Sequence, residues 1–166
     1  AYNKAWIETL SEIELGPEVT VLRDYHADNL MWLPNRHRAA AVGLLDFQDA
    51  AAGSPAYDMV SLLEAARRDV SINLSERMVR RYINARSIDP SSFRNAYSVL
   101  GAQRNSKIIG IFTRLWKRDG KAPYLKLIPR VWRYLERNLD QPVLAPVRHW
   151  FDQYLPKYLR REPQAS

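Results

Sequence analysis

The sequence has 166 residues, of which 46% are hydrophobic and 26% are charged, values that fit one globular domain with a sizeable core. It contains no cysteine, which excludes disulfides and cysteine-ligated metals. No apolar run approaches the roughly 20 residues that a membrane-spanning helix needs, and none follows Lys4 as in a signal peptide, so we expect a cytoplasmic protein without a membrane partner.

The net charge of +7 is unevenly distributed along the chain. Residues 1–70 contain 6 Lys/Arg and 11 Asp/Glu, whereas residues 71–166 contain 19 Lys/Arg and 7 Asp/Glu. A basic half of this kind fits either a polyanionic partner such as nucleic acid or helices whose exposed faces carry Arg and Lys. We favour the second interpretation and expect no nucleic-acid partner.

The first third of the chain predicts a helix followed by short strands. A helical period over residues 2–14 ends at Gly16 and Pro17, which break helices. Three segments rich in β-branched and large apolar residues predict strands: VTVLRDY (19–25), a short strand that enters a loop, NLMWL (29–33) and AAAVGLLDF (39–47). The second and third are expected to pair as a hairpin, and AAGSPA (51–56) is expected to be a loop.

The rest of the sequence predicts helices. Ser75 is the expected N-cap of the second helix, and Asp89 followed by Pro90 marks the start of the third. The five helices are expected over residues 57–68, 74–85, 90 to about 117, 121–138 and 143–159. The fold class is therefore α+β and mostly α, with short β-hairpins followed by a helical body.

Polar residues at the strand ends predict phosphoryl-transfer chemistry. Asp24 and Asn29, five residues apart and directly after a strand, have the spacing of a kinase catalytic loop. An Asp in that place accepts the proton of the attacking hydroxyl or orients it, and the Asn oxygen holds Mg²⁺ bound to the nucleotide phosphates. Asp46, 22 residues after Asp24, ends the predicted hairpin and supplies a second hard oxygen ligand. The Asp–Asn pair alone is also common in turns.

The ordered motifs LRDYHADNLMW, GLLDFQD and GSPAYDMVSLL resemble those of the aminoglycoside phosphotransferase family. These are small-molecule kinases whose fold is similar to that of protein kinases. The resemblance covers most of residues 20–152 and is most similar to the branch of anomeric kinases that act on N-acetylmuramate and N-acetylglucosamine in cell-wall recycling. One departure is Leu22, because the family usually has a His two residues before the catalytic Asp.

The resemblance implies a role for each matching residue. Asp24 is the expected catalytic residue, and Asn29 and Asp46 are the expected Mg²⁺ ligands and hence part of the ATP site. Leu45 is either the floor under the adenine or ordinary strand core, and Asp58 is expected to steady the loop by hydrogen bonding. The implied reaction transfers the γ-phosphoryl group of ATP to the anomeric hydroxyl of an N-acetylated amino sugar.

The acceptor site has four candidate residues. Arg23 is expected either to reach a substrate carboxylate or to form an ion pair nearby, and His26 either to contact substrate or phosphate or to brace the loop. Arg104 and Lys107, three residues apart on one predicted helix face, either bind the lactyl carboxylate of N-acetylmuramate or belong to a solvated face. The helical body lacks the acidic clusters that a polycationic aminoglycoside needs, which favours an anionic or neutral acceptor.

The domain organisation follows from the same resemblance. Residues 1–159 are expected to form the C-terminal lobe of a kinase-like fold, with the catalytic loop and metal hairpin in 20–58, the helical acceptor-binding body in 57–159 and a flexible tail in 160–166. About 20 residues precede the catalytic strand, so we expect the N-terminal lobe, with its phosphate-covering loop and Lys–Glu pair, to be absent from this chain. Weak nucleotide binding by the chain alone and self-association through an uncovered apolar surface are then expected.

Other functions stay open on the sequence alone. Alternative acceptors are an aminoglycoside or another small alcohol such as choline, for which an aromatic cage would be expected. A non-catalytic binding module with a basic helical face would explain the charge but would leave the set of Asp24, Asn29 and Asp46 without a purpose. A catalytically dead scaffold would give no reason for retaining all three.

Overall fold

A computed structural model, which describes residues 1–163, places two small antiparallel sheets beside six α-helices. The strands are β1 (Val19–Val21), β2 (Leu30–Trp32), β3 (Val42–Leu44) and β4 (Ala51–Gly53). The helices are α1 (Tyr2–Ser11), α2 (Ala56–Leu63), α3 (Ile72–Arg86), α4 (Pro90–Asp119), α5 (Ile128–Leu139) and α6 (Ala145–Tyr154). Neither α4 nor any other helix within residues 1–163 is long and apolar enough to cross a membrane.

The two sheets are nested along the chain. β2 pairs with β3, with Leu30 opposite Leu44, which confirms the predicted hairpin. β1 pairs with β4, with Val21 opposite Ala51. Residues 22–50 therefore form one segment that contains the hairpin and is closed at its base by the pairing of β1 with β4.

β4 lies where the sequence predicted a loop, so that prediction is wrong for Ala51–Gly53. Alanine and glycine have little intrinsic preference for strands, and the partner strand lies far earlier in the chain, so tertiary pairing decides the conformation. Gly53 also permits a close approach, because a Cβ atom there would lie 3.0 Å from Cγ2 of Val21.

The predicted N-cap residue is correct for α4 and wrong for α3. Asp89 caps α4 through a hydrogen bond to its side chain, and Pro90 is the first helical residue, as predicted. The cap of α3 is Ser71, whose Oγ accepts a hydrogen bond from the amide of Leu74 at 3.3 Å. Ser75, the predicted cap, is instead buried within that helix. Ser71 directly precedes Ile72 and Ser75 directly precedes Glu76, and serine is a common N-cap residue, so residue type alone does not separate the two positions.

Prolines divide two segments that were predicted to be single helices. The predicted helix over 121–138 is a 3-10 segment, Ala122–Leu127, followed by α5 with Pro129 in its first turn. The predicted helix over 143–159 contains α6, which ends before Pro156, and a short 3-10 turn beyond it. Proline is tolerated in the first turn of a helix but lacks the amide hydrogen that an interior position needs.

The core of the protein surrounds α4, which packs against both α2 and α5. The larger buried cluster includes Val99, Ala102, Val131, Leu135, Val147 and Phe151. A second cluster joins α2, α3 and α4 through Ala56, Leu63, Val79, Ile83, Phe93 and Ala96. Tyr2 of α1 makes edge-to-face contacts with Trp150 and Phe151 of α6. The helical body therefore gives α2 a fixed support beside the strands.

A buried carboxylate joins α2, α4 and α5. Glu64, directly after α2, is fully buried. Its Oε2 accepts hydrogen bonds from Nδ2 of Asn105 at 2.7 Å and from Nδ2 of Asn138 at 2.9 Å, and its Oε1 accepts one from Arg137 at 3.0 Å. A buried charge is tolerated when it is paired and hydrogen-bonded, and Glu64 meets both conditions.

Several arginines of the basic half bind carboxylates of their own or neighbouring helices: Arg94 with Glu76, Arg137 with Glu64, Arg148 with Asp140, and Arg160 with Asp152. Arg160 was assigned to a flexible tail over 160–166, but its side chain is only 3% exposed and also donates to the carbonyl oxygen of Leu155. The tail prediction is therefore wrong for Arg160. Residues 164–166 lie outside the described residues.

Gly101 gives a test of the packing between α4 and α5. A Cβ atom at this position would lie 2.5 Å from Nδ2 of Asn138, the atom that donates to Glu64. We expect Gly101→Ala to lower the free energy of unfolding by about 1–3 kcal/mol, because the methyl group must displace Asn138. Chemical denaturation measures the change.

The matched control is Gly110→Ala in the same helix, where a Cβ atom would have no neighbour within 4 Å. That substitution is expected to raise the free energy of unfolding by about 0.5–1 kcal/mol, because alanine loses less backbone entropy in a helix than glycine does. Equal effects at the two positions would contradict the close approach inferred at Gly101.

Candidate active site

The loop after β1 is a tight turn in an uncommon backbone conformation. Arg23 has a φ of 67°, in the left-handed region that residues other than glycine seldom adopt. The amide of Asp24 donates to the carbonyl oxygen of Leu22 at 2.8 Å, and the amide of His26 donates to the carbonyl oxygen of Asp24 at 3.1 Å. These contacts fix the direction of the chain on both sides of Asp24, whose side chain is exposed.

Asp58, in the first turn of α2, binds this loop and confirms the role expected for it. Its Oδ2 accepts a hydrogen bond from the amide of Leu22 at 2.7 Å, and its Oδ1 accepts one from the amide of Arg23 at 3.0 Å. Hydrogen bonds to an ionised carboxylate are stronger than neutral ones. One side chain of α2 therefore holds two successive amides of the loop.

Asn29 and Asp46 are brought together by the hairpin. The amide of Leu45 donates to the carbonyl oxygen of Asn29 at 3.0 Å, so Asp46 follows directly beside Asn29. The side-chain Nδ2 of Asn29 donates to the carbonyl oxygen of Asp24 at 2.9 Å, which leaves its Oδ1 for another partner. The chain between Asp24 and Asp46, which lie 22 positions apart, thus returns to the loop as predicted.

The oxygen atoms of Asn29 and Asp46 suit a hard divalent cation. Asp46 has a φ of 54°, and its Oδ1 accepts a hydrogen bond from the side chain of Gln48. Mg²⁺ takes carboxylate and amide oxygens and completes its octahedron with waters and phosphate oxygens. Within residues 1–163 there is no group of three or more His, Cys, Asp or Glu side chains that could hold a metal. The residues therefore fit a cation that a nucleotide helps to bind.

A cavity of about 260 Å³ adjoins the loop. Its walls come from the loop after β1, from the segment after α2 and from α4. Asp24, His26 and Arg67 give it polar walls, and Ile108 and Phe112 of α4 give it an apolar one. A cavity with a carboxylate beside apolar surface suits a small molecule that has both a hydroxyl group and carbon-rich faces.

Arg104 places a largely buried charge in the wall of this cavity. Its Nη2 donates to Oγ of Ser61 at 3.0 Å, whereas its Nη1 is buried and has no hydrogen-bond partner among the residues that the structure describes. Burial lowers the pKa of Arg104, and the nearby Tyr57, Glu64 and Asp24 oppose that shift. Because Arg104 lines the cavity and carries a positive charge, this wall suits an anionic or polar ligand.

The sequence model of the phosphotransferase enzyme family (APH) matches residues 3–94, a range that contains the loop, the hairpin and Asp58. The chain belongs to this family. The match ends within α4, so the family assignment rests on the part of the chain that carries Asp24, Asn29 and Asp46.

Three similar curated proteins carry the name N-acetylmuramate/N-acetylglucosamine kinase. The protein from Caulobacter vibrioides is 45% identical over 161 residues, which are 96% of this chain and 44% of the relative. The protein from Neisseria meningitidis is 41% identical over 132 residues (73% and 37%), and that from Pseudomonas aeruginosa is 39% identical over 142 residues (78% and 39%). The chain spans less than half the length of these curated relatives.

The structure brings together three of the predicted site residues at one cavity: Asp24, His26 and Arg104. Nδ1 of His26 lies 3.8 Å from Oδ2 of Asp28 in the same wall. Arg23 has an exposed side chain that is not among the residues lining this cavity, and its contribution to the loop comes from its backbone.

Lys107 is separated from Arg104. It lies in a different groove, between α1 and α4, where it adjoins Trp6, Ile7 and Leu10. Residues three apart on a helix differ in direction by roughly 60°, which is enough here for one side chain to face the cavity and the other to face α1. The structure therefore does not bring Lys107 to the cavity that Arg104 lines, and a contact of Lys107 with the acceptor stays without structural support.

Leu45 is not strand core, so that alternative is wrong. Its side chain is 46% exposed on the hairpin. Neighbouring apolar side chains on the same hairpin are also exposed: Met31, Trp32, Val42, Leu44 and Phe47. A group of exposed apolar side chains of this kind marks a surface that another molecule or segment covers. The placement of adenine on Leu45 stays a prediction.

Sequence reasoning missed two polar residues of the site. Arg67 lines the cavity, with its Nη1 4.0 Å from Oδ2 of Asp28. Ser61 is fully buried and contacts both the loop and Arg104. The available signal for Ser61 was its position three residues after Asp58, because such a pair lies on one face of a helix.

Asp58 gives a test of how the loop is held. We expect Asp58→Asn to speed hydrogen exchange at the amides of Leu22 and Arg23, because a hydrogen bond to a charged group contributes about 1.5–3 kcal/mol. Amide exchange followed by NMR measures the change. The control is Asp69→Asn, an exposed carboxylate 3.8 Å from Arg130, which should leave both amides unaffected. Unchanged exchange in the Asp58 variant would refute the role of this carboxylate.

Proposed function

We propose that the chain forms the C-terminal lobe of a kinase that transfers the γ-phosphoryl group of ATP to the anomeric hydroxyl of N-acetylmuramate or N-acetylglucosamine. The observation that carries the proposal is the cavity that Asp24 and Arg104 line together, so that a carboxylate and a guanidinium group adjoin the same space. The family and the name of the relative that is 45% identical support the reaction and the acceptor.

In this proposal Asp24 acts on the acceptor hydroxyl. It orients the hydroxyl and takes its proton while the bond from that oxygen to the γ-phosphorus forms and the bond between the γ-phosphorus and ADP breaks. Asn29 and Asp46 would hold Mg²⁺, which neutralises the charge of the nucleotide phosphates when it is bound. Gln48, through its hydrogen bond to Oδ1 of Asp46, would keep that carboxylate in one orientation.

Arg104 favours an anionic acceptor. A guanidinium can bind a carboxylate with two parallel hydrogen bonds, and the lactyl group of N-acetylmuramate supplies a carboxylate. His26 lies in the same wall and would contact the sugar or brace the loop. A polycationic aminoglycoside is disfavoured because its ammonium groups would meet Arg67 and Arg104 in the cavity.

The exposed apolar surface of the hairpin supports the assignment to one lobe of a larger enzyme. In such kinases a second lobe supplies the loop that covers the phosphates and the Lys–Glu pair, and we propose that nucleotide and second lobe together cover Leu45 and its neighbours. The length of the curated relatives supports this assignment. The cytoplasmic location and the self-association of the isolated chain stay predictions from the sequence.

Replacing Asp24 tests the reaction. The complete gene product that contains this sequence is incubated with Mg-ATP and, in separate samples, N-acetylmuramate, N-acetylglucosamine and kanamycin. Phosphorus NMR is expected to show a sugar phosphate coupled to an anomeric proton. Asp24→Asn should reduce turnover about 100- to 10,000-fold, because a positioned general base is lost.

The control for this experiment is Asp49→Asn, an exposed carboxylate of the segment over residues 22–50 that does not line the cavity. It should keep most of the turnover. Near-normal turnover by the Asp24 variant would overturn its assignment, and a phosphorylated product with kanamycin alone would overturn the proposed acceptor.

Replacing Arg104 tests the acceptor. Arg104→Gln is expected to raise KM for N-acetylmuramate about 10- to 100-fold more than KM for N-acetylglucosamine, because a hydrogen bond to a charged group contributes about 1.5–3 kcal/mol. Lys107→Gln removes the same charge outside the cavity and should change neither KM. Equal effects on both sugars in the Arg104 variant would exclude a contact with the carboxylate.

A further inference from the structure

The peptide groups around Arg23 are held from two sides by residues of α2. The carboxylate of Asp58 accepts hydrogen bonds from the amides of Leu22 and Arg23. Oγ of Ser61 lies 3.2 Å from the carbonyl oxygen of Arg23. Asp58 and Ser61 are three residues apart and therefore share one face of the helix. Both side chains therefore hydrogen-bond to the backbone of Arg23, which has a φ of 67° and directly precedes Asp24.

The direction of the Ser61 hydroxyl follows from the chemistry of its neighbour. A guanidinium group can only donate hydrogen bonds, so the contact of 3.0 Å makes Ser61 Oγ the acceptor from Nη2 of Arg104. The single hydroxyl proton of Ser61 is then directed to the carbonyl oxygen of Arg23. Ser61 is fully buried, so solvent does not compete for either bond.

Arg104 therefore connects the cavity to the loop. It lines the cavity, and its Nη2 donates to the Ser61 hydroxyl. A ligand that binds the charge of Arg104 from the cavity would restrict the rotation of its planar guanidinium group. A left-handed backbone at a residue other than glycine persists only when its surroundings enforce it, so a contact with Arg104 is connected through two hydrogen bonds to the conformation before Asp24.

We propose that Ser61 is a positioning residue, which couples Arg104 in the acceptor cavity to the backbone of Arg23 and thereby to the direction of the Asp24 carboxylate. The proposal rests on the proposed kinase function and deepens it. It assigns Arg104 a role in orienting the catalytic loop in addition to binding the acceptor. Occupation of the acceptor site would then stabilise the loop conformation that turnover requires.

The kinetic test uses Ser61→Ala in the complete gene product. Turnover (kcat) is expected to fall about 10- to 100-fold, the range expected when a catalytic group is misplaced by up to 1 Å. KM for either sugar should change little, because Arg104 stays in the cavity. The matched control is Ser75→Ala, which removes a buried helical hydroxyl that lies away from the loop and has no hydrogen-bond partner among residues 1–163; it should leave kcat unchanged.

A double variant tests the coupling itself. If Ser61 transmits the effect of Arg104, then Ser61→Ala combined with Arg104→Gln should lower kcat no further than the more severe single variant. Additive losses of kcat would overturn the coupling, and so would a kcat of wild-type size in Ser61→Ala. Should Ser61→Ala not fold, Ser61→Cys retains the volume with a weaker donor, and it should give a smaller fall in kcat under the same criteria.

A spectroscopic measurement tests the coupling whether or not the proposed reaction takes place. The amide signals of Arg23 and Asp24 in proton–nitrogen NMR spectra should shift in Ser61→Ala and in Arg104→Gln, but not in Ser75→Ala. If the wild-type protein phosphorylates neither sugar, the proposed function fails while this measurement still decides the coupling. Unchanged Arg23 and Asp24 signals in both variants would overturn it.

Discussion

The buried carboxylate of Glu64 sets the geometry on which both walls of the cavity depend. α2 brings Asp58 and Ser61 to the loop, and α4 brings Arg104 to the opposite wall. Glu64 joins these two helices by accepting a hydrogen bond from Asn105, the residue after Arg104. Because a buried charge requires its donors in place, a shift of α4 along α2 would break this network. Apolar contacts between α2 and α4 would tolerate such a shift more easily, because they do not require a particular donor to meet a particular acceptor.

The cavity lies where the acidic first part of the chain meets the basic helical body. Asp24 and Asp28 come from the loop, and Arg104 comes from α4. In the proposed reaction the two walls have different tasks, since the loop would present a carboxylate to the acceptor hydroxyl and the helix a cation to an acceptor anion. Elsewhere in the body, residues such as Arg137 and Arg148 are bound to carboxylates of the same chain. The excess of positive charge therefore has structural partners as well as exposed positions.

The features that sequence could predict depend on neighbouring residues. The loop from Asp24 to Asn29 and the hairpin that returns to Asp46 are set by local spacing and turns, and the motifs identified the family. The features that it missed depend on contacts between distant elements. β4 forms because β1 is beside it, and Lys107 turns away from the cavity that Arg104 lines because α1 and this cavity lie on different sides of α4. The contacts of Ser61 likewise require two elements that are distant in sequence.

The pairing of β1 with β4 separates residues 22–50 from the helical body in stability as well as in sequence. Each strand has three residues, and the pair stands alone as a two-stranded sheet. Isolated pairs of this length have little stability of their own, whereas the helices share large buried clusters. Residues 22–50 can therefore open as a local unit while the body stays folded, with Asp58 as the main restraint. Ligands that bridge the loop and α4 would raise the free energy of that opening.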